Sequence, residues 1–168
     1  MDSNRSHDAA AHTWRRGEYA ISTDRSRLDV DVIHEFLTNC YWSPGIPREV
    51  VERGIAHAEC FGIFHHERAQ VGFARVITDY TTFAWLADVF VLEAHRRKGL
   101  SKWLMECILS HPELQGFRRW VLATRDAHAL YARFEFKPLD DATRWMEKWT
   151  PDAYRNSNVS PSKPAKRS

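Results

Sequence analysis

The residues with the clearest chemical potential lie in one run, Val89-Phe90-Val91-Leu92-Glu93-Ala94-His95-Arg96-Arg97-Lys98-Gly99-Leu100-Ser101-Lys102. An apolar strand pattern passes into a short basic turn and then into the start of an amphipathic helix. At such a junction the first backbone N–H groups of the helix have no intrahelical acceptor, and the positive end of the helix dipole points the same way. The combination binds anions. Arg96, Arg97, Lys98 and Lys102 add four positive charges there, and Gly99 lets an anion approach the main chain without meeting a Cβ. Read alone, the cluster is also compatible with a solvated charged turn in which Gly99 serves a kink. It is not a Walker loop, since no GxxxxGK[ST] occurs, and no GxGxxG follows a strand pattern.

The elements that must position this turn follow from hydrophobic periodicity. A short strand is expected over 18–22. A helix follows, with Ile33, Phe36, Leu37 and Cys40 on one face and Asp29 and Asp31 near its amino end. The breaker-rich turn Tyr41-Trp42-Ser43-Pro44-Gly45 separates it from a second helix opened by Pro47. Strand patterns at 60–65, 70–77 and 82–92 read as antiparallel neighbours. After the helix that follows Gly99 come a strand over 118–124 and a helix near Asp126, with Asp126 as its candidate cap, carrying Leu130, Tyr131 and Phe134. Strands over 136–139 and 143–149 are expected last. The order predicts an α/β (α+β) domain, a mixed and mainly antiparallel sheet of six to seven strands flanked by about four helices.

Composition agrees with one such domain. The 168 residues are 43% hydrophobic, 12% aromatic and 27% charged, which excludes disorder throughout. Residues 1–17 and 151–168 are poor in large apolar groups and are expected to be flexible flanks of a domain spanning 18–150. The segment 151–168 carries four basic side chains against Asp152, a surplus of three that leaves residues 1–150 at −1 within the overall +2. A folded part that is not basic argues against a nucleic-acid binder, leaving only a basic tail through Lys163 to Arg167 for such contact. The longest apolar stretch is half of what a bilayer requires, so no membrane partner is expected. The first eighteen residues lack a secretory pattern, and a cytoplasmic location is the expectation. Cys40, Cys60 and Cys107 show no CxxC or CxxxH spacing; reduced thiols and no metal site are expected.

The turn also carries a family resemblance. Arg96-x-x-Gly99-x-Ser101, entered from Asp88-Val89-Phe90-Val91, resembles the acyl-CoA signature [Q/R]xxGx[G/A] of the GNAT superfamily of N-acetyltransferases, and Leu130-Tyr131-Ala132-Arg133-Phe134-Glu135-Phe136 is similar to its LYxxxGF segment. The element order matches that fold over 19–149. Ser101 stands where Gly or Ala is usual, and Glu135 where Gly usually supplies a positive φ. The resemblance implies acetyl-CoA as cosubstrate, its pyrophosphate held by Arg96, Arg97, Lys98, Gly99, Leu100, Ser101 and Lys102, and its pantetheine arm and acetyl carbonyl met by the main chain of Val89, Phe90 and Val91. It places Tyr131 at the sulfur and Asp126 at the cofactor arm, although a core aromatic and a helix cap explain these two residues as well.

Transfer of acetyl to a primary amine, by direct attack in a ternary complex, is the implied reaction. An amine must lose a proton before it attacks, and Asp88 is the leading candidate base. Strict alternation puts it on one face with Leu86 and Phe90, where apolar surroundings would raise its pKa. A structural hydrogen-bonding role is its other reading, and Glu93 and His34 are the remaining candidates. Tyr41 and Trp42 either line the acceptor pocket or cover the core. A small-molecule or peptide amine is the expected partner, and exposed sheet edges leave a homodimer open. A non-catalytic acyl-CoA or metabolite-binding module on the same fold is the alternative.

Overall fold

The computed structural model describes residues 10–66 and 68–154. Six strands, β1 (Thr13–Arg16), β2 (Tyr19–Ser22), β3 (Glu59–His65), β4 (Ala69–Thr78), β5 (Phe83–Val91) and β6 (Arg119–Val121), form one sheet in that order. All neighbours are antiparallel except β5 and β6, which run parallel. Helices α1 (Val30–Asn39) and α2 (Arg48–Ala56) cover one face; there Ile33, Leu37 and Val51 bury against Cys60, Phe73 and Phe90. Helix α3 (Leu100–Leu109) covers the other, packing Leu100, Trp103, Leu104 and Ile108 on Phe61, Ala74, Val76 and Leu86. The fourth helix, α4 (His128–Tyr131), is a short α-turn that tightens into a 3-10 turn over Ala132–Phe134.

Local chemistry explains the helix boundaries. Asp29 caps α1 by accepting the N–H groups of Asp31 and Val32 at 3.0 and 3.2 Å. Pro47 sits at the cap of α2, just outside the first helical residue. Asp126 does not cap α4. Thr124 Oγ1 accepts the Ala127 N–H at 3.0 Å instead, and exposed Asp126 faces Arg125 at 3.8 Å. Two of the three thiols, Cys60 and Cys107, are buried, and burial pushes each up to about 12, so both are protonated at neutral pH.

Three expectations from sequence need correction. The domain begins earlier than residue 18, because Thr13–Arg16 pairs residue for residue with Tyr19–Ser22 across a Gly17 turn at φ +57°. Only Trp14 of β1 is apolar, which leaves no alternation to detect; Arg16 lies 4.8 Å over the Trp103 ring and pairs with Glu106 at 3.2 Å. The expected strands at 136–139 and 143–149 do not form among the described residues. Asp141 caps a 3-10 turn there by accepting the Thr143 N–H at 3.1 Å, and β6, only three residues long, offers little edge to pair with. Residues 1–9 and 155–168, including the basic tail, lie outside the described residues.

Glu135 ends the α4 turn at φ +66°, the left-handed conformation that Gly adopts freely. A non-glycine residue pays roughly 1–2 kcal/mol there, partly offset by about 0.4–1 kcal/mol because Gly gains more freedom in the unfolded chain. Glu135 is exposed and loses no packing on replacement. Glu135→Gly is therefore expected to stabilise the domain by about 0.5–1 kcal/mol in urea unfolding; a destabilised variant would mean that the side chain holds an interaction of comparable size.

Candidate active site

The site is built around an irregularity in β5. Phe73 pairs with Phe90 and Arg75 with Ala87, so two residues of β5, Asp88 and Val89, stand against Ala74 alone. This is a β-bulge, and Asp88 absorbs it at φ +54°. One extra residue breaks the alternation expected from sequence. Leu86 packs into the α3-side core while Phe90 packs into the core beneath α1 and α2, stacking on Phe36 with ring centroids 3.9 Å apart. Asp88 consequently leaves the apolar surroundings expected of it. Its carboxylate ion-pairs with Arg75 and accepts the indole N–H of Trp42 at 3.1 Å.

The opposite edge of β5 is equally irregular. β6 pairs with it only from Phe83 to Trp85, after which no described strand lies alongside. The main chain from Leu86 to Val91 is therefore left without a neighbouring strand on this edge among the described residues. The loop from α1 to α2 closes over it. Tyr41 Oη accepts the Arg125 backbone N–H at 3.2 Å, and the Arg125 guanidinium lies 3.8 Å from the Tyr41 ring. Tyr41 and Trp42 thus bridge the loop after β6 to the bulge in β5, with more than a third of each surface still exposed.

At the end of β5 the chain makes a 3-10 turn over Glu93–His95, passes Arg97 at φ +61° and Gly99 at φ +75°, and enters α3. No side chain caps α3, so its first N–H groups remain available, and an added Cβ at Gly99 would meet nothing within 4 Å. The four cations of this turn divide their work. Arg96 donates to the Val91 carbonyl at 2.9 Å and pins the turn to β5; Lys98 donates to Tyr19 Oη at 3.1 Å; Lys102 lies 3.7 Å from Glu106 one turn along α3. Arg97 is exposed and has no partner among the described residues. Ser101 lies in the uncapped first turn of α3, half-buried.

Tyr131 is 8% exposed, its ring edge-on to Phe136 at 6.0 Å. No buried side-chain nitrogen or oxygen among the described residues lacks a hydrogen-bond partner, so the Tyr131 hydroxyl, bonded to no protein group, reaches solvent. Burial, with the neighbouring Tyr41 and Asp126, pushes its phenol up to about 12. His34 is tied to the Ile46 carbonyl at 3.1 Å, and Glu93 is exposed in the 3-10 turn. Sequence reasoning missed Arg75 and Arg125. An arginine inside the apolar run of β4 was the available signal for Arg75; nothing local marked Arg125.

The chain is similar in sequence and in fold to known acetyltransferases. Residues 57–138 match the model of the acetyltransferase (GNAT) domain. A Gibberella zeae protein described as an acetyltransferase is 30% identical over 142 residues, covering 71% of this chain and 79% of that protein. The crystal structure of a GNAT-family protein from Xanthomonas campestris pv. campestris is 50% identical and superimposes with a TM-score of 0.78 over 81% of this chain and 96% of the other. An acetyltransferase structure from Clostridium acetobutylicum, determined with acetyl-CoA, shares the fold at 11% identity and a TM-score of 0.55, covering 71% of this chain and 86% of that one. By its sequence relatives and by its fold, the chain belongs to the GNAT family of acetyltransferases.

Proposed function

We propose that the protein transfers an acetyl group from acetyl-CoA to a primary amine by direct attack in a ternary complex. The observation that carries this reading is the continuity of the unpaired β5 edge with the uncapped start of α3. One surface offers main-chain groups to an amide-bearing arm and, at its end, N–H groups to a diphosphate. Family membership and the acetyl-CoA held by the Clostridium acetobutylicum protein support acetyl-CoA as the donor.

In this reading the thioester carbonyl lies at the bulge, where a β5 N–H polarises it; such a donor is generally worth about 2.7–4 kcal/mol at a developing oxyanion. The amine enters beneath Tyr41 and Trp42. Asp88 takes its proton: Arg75 and Trp42 each engage one carboxylate oxygen, and the remaining lone pairs are free to accept from the amine. The new C–N bond forms, the C–S bond breaks, and the thiolate of CoA departs. Tyr131 donates a hydrogen bond to that thiolate rather than its proton. A thiol has a pKa of about 8.5, so full transfer from a phenol at about 12 would be uphill by roughly 5 kcal/mol.

The test is release of free CoA thiol from acetyl-CoA across a panel of polyamines, amino acids, amino sugars and peptides. Amine-dependent release is expected. CoA binding with no turnover on any amine would make the protein a binding module. Because a thiolate leaves readily without protonation, Tyr131→Phe is expected to lower kcat only about 10-fold, below the usual range for a general acid, with CoA affinity retained. An unchanged kcat would take Tyr131 out of the reaction.

A further inference from the structure

On the side of the sheet end occupied by the β1–β2 turn, Glu18, His65 and His66 converge. Tyr19 pairs with His65 in the β2–β3 ladder, and the His66 N–H donates to the Glu18 carbonyl at 2.8 Å, which fixes the backbone of all three. Consecutive residues of a strand normally point to opposite faces. His66, just past the end of β3, takes φ +48°, and its ring comes to lie beside that of His65 with centroids 4.0 Å apart. The Glu18 carboxylate faces both: Oε2 is 3.6 Å from His65 Nε2, and Oε1 is 3.7 Å from His66 Nε2.

These separations are too long for hydrogen bonds and close to those between ligands of one small cation. Bonds of 2.0–2.2 Å in a tetrahedral zinc site put ligand atoms about 3.3 Å apart. All three ligand atoms lie within 4.8 Å of one another, and the Glu18 and His66 side chains are each 65% exposed, so small rotations about side-chain bonds close the remaining gap. His95 is adjacent, its ring centroid 5.0 Å from that of His65, but its Nδ1 is engaged with Tyr19 Oη at 2.9 Å.

We propose that Glu18, His65 and His66 bind one divalent transition cation of the zinc class, with water completing the coordination. Two imidazoles and a carboxylate favour such an ion over calcium or magnesium, which prefer all-oxygen sets. Bound there, the cation ties the β1–β2 turn to the end of β3.

Titrating the metal-free full-length protein with Zn²⁺ alone, followed by calorimetry and thermal unfolding, tests this. One equivalent is expected to bind and to raise the unfolding midpoint, since the unfolded chain loses the site. Glu18→Gln and His66→Asn should each lose that equivalent and the shift, while unfolding without metal as the parent does; Asn tolerates the positive φ at position 66. Co²⁺ supplies a second readout through the absorption of a nitrogen- and oxygen-ligated ion. A parent protein that binds no equivalent, or variants that bind as tightly as the parent, would overturn the assignment.

Discussion

Gly99→Glu is expected to abolish measurable CoA binding while the domain stays folded. An added Cβ at position 99 meets nothing within 4 Å, so no clash propagates into α3. The left-handed backbone, φ +75°, costs a non-glycine residue roughly 1–2 kcal/mol, part of which a carboxylate at a helix amino end recovers through the dipole, about 0.3–1 kcal/mol. Toward a diphosphate the same carboxylate is repulsive. With an effective dielectric of about 40 and separations of about 5 Å, each phosphate charge contributes about 1.7 kcal/mol, and the pair about 3 kcal/mol, a loss of at least about 100-fold in affinity. Gly99→Ala separates strain from charge: it carries the same backbone cost without the carboxylate and should weaken binding far less. Calorimetric titration with CoA reads both. If Gly99→Glu binds CoA as the parent does, the diphosphate sits elsewhere, and the reading of the β5 edge as a cofactor slot goes with it.

What could be read from sequence depended on whether a feature is local. The turn from Arg96 to Lys102 was legible because charge, glycine and helix onset are all written within seven residues, and the structure joins them at the uncapped end of α3. The cores beneath α1, α2 and α3 were legible through periodicity. β1 was not, because one tryptophan among polar residues carries no pattern, and the stability of that strand comes from pairing with Tyr19–Ser22. The bulge was invisible for a different reason. Alternation presumes one residue per pleat, so the sequence put Leu86, Asp88 and Phe90 on one face; Asp88 at φ +54° breaks that rule and sends Leu86 and Phe90 into opposite cores. The same irregularity exchanges the apolar surroundings expected of Asp88 for Arg75 and Trp42. At the other end, the segment 143–149 reads as a strand, yet Met146 is 97% and Trp149 73% exposed, because a segment without a neighbouring edge of sufficient length has nothing to pair with. Local motifs marked the basic turn and the start of α3; the contacts around the bulge come from residues distant in sequence.

Asp88→Asn is expected to lower kcat at neutral pH by about 100-fold or more, within the usual span for removing a general base, with CoA affinity unchanged. The substitution keeps the size of the side chain and one oxygen able to accept the Trp42 indole N–H or the Arg75 guanidinium, so the bulge retains an anchor. What it removes is the ability to take a proton from the amine. That loss has a signature that misplacement of a loop lacks. A primary amine of pKa near 10 is about 99.9% protonated at pH 7, and its free fraction rises about tenfold per pH unit until that pKa is approached. Without the carboxylate the variant depends on amine already deprotonated in solution, so its rate should climb with pH and the deficit against the parent should shrink toward pH 9.5. A purely structural role predicts a constant deficit at every pH, accompanied by a lower unfolding midpoint. Asp88 is removed from proton transfer if kcat is unchanged at neutral pH, or if the deficit stays flat from pH 7 to 9.5.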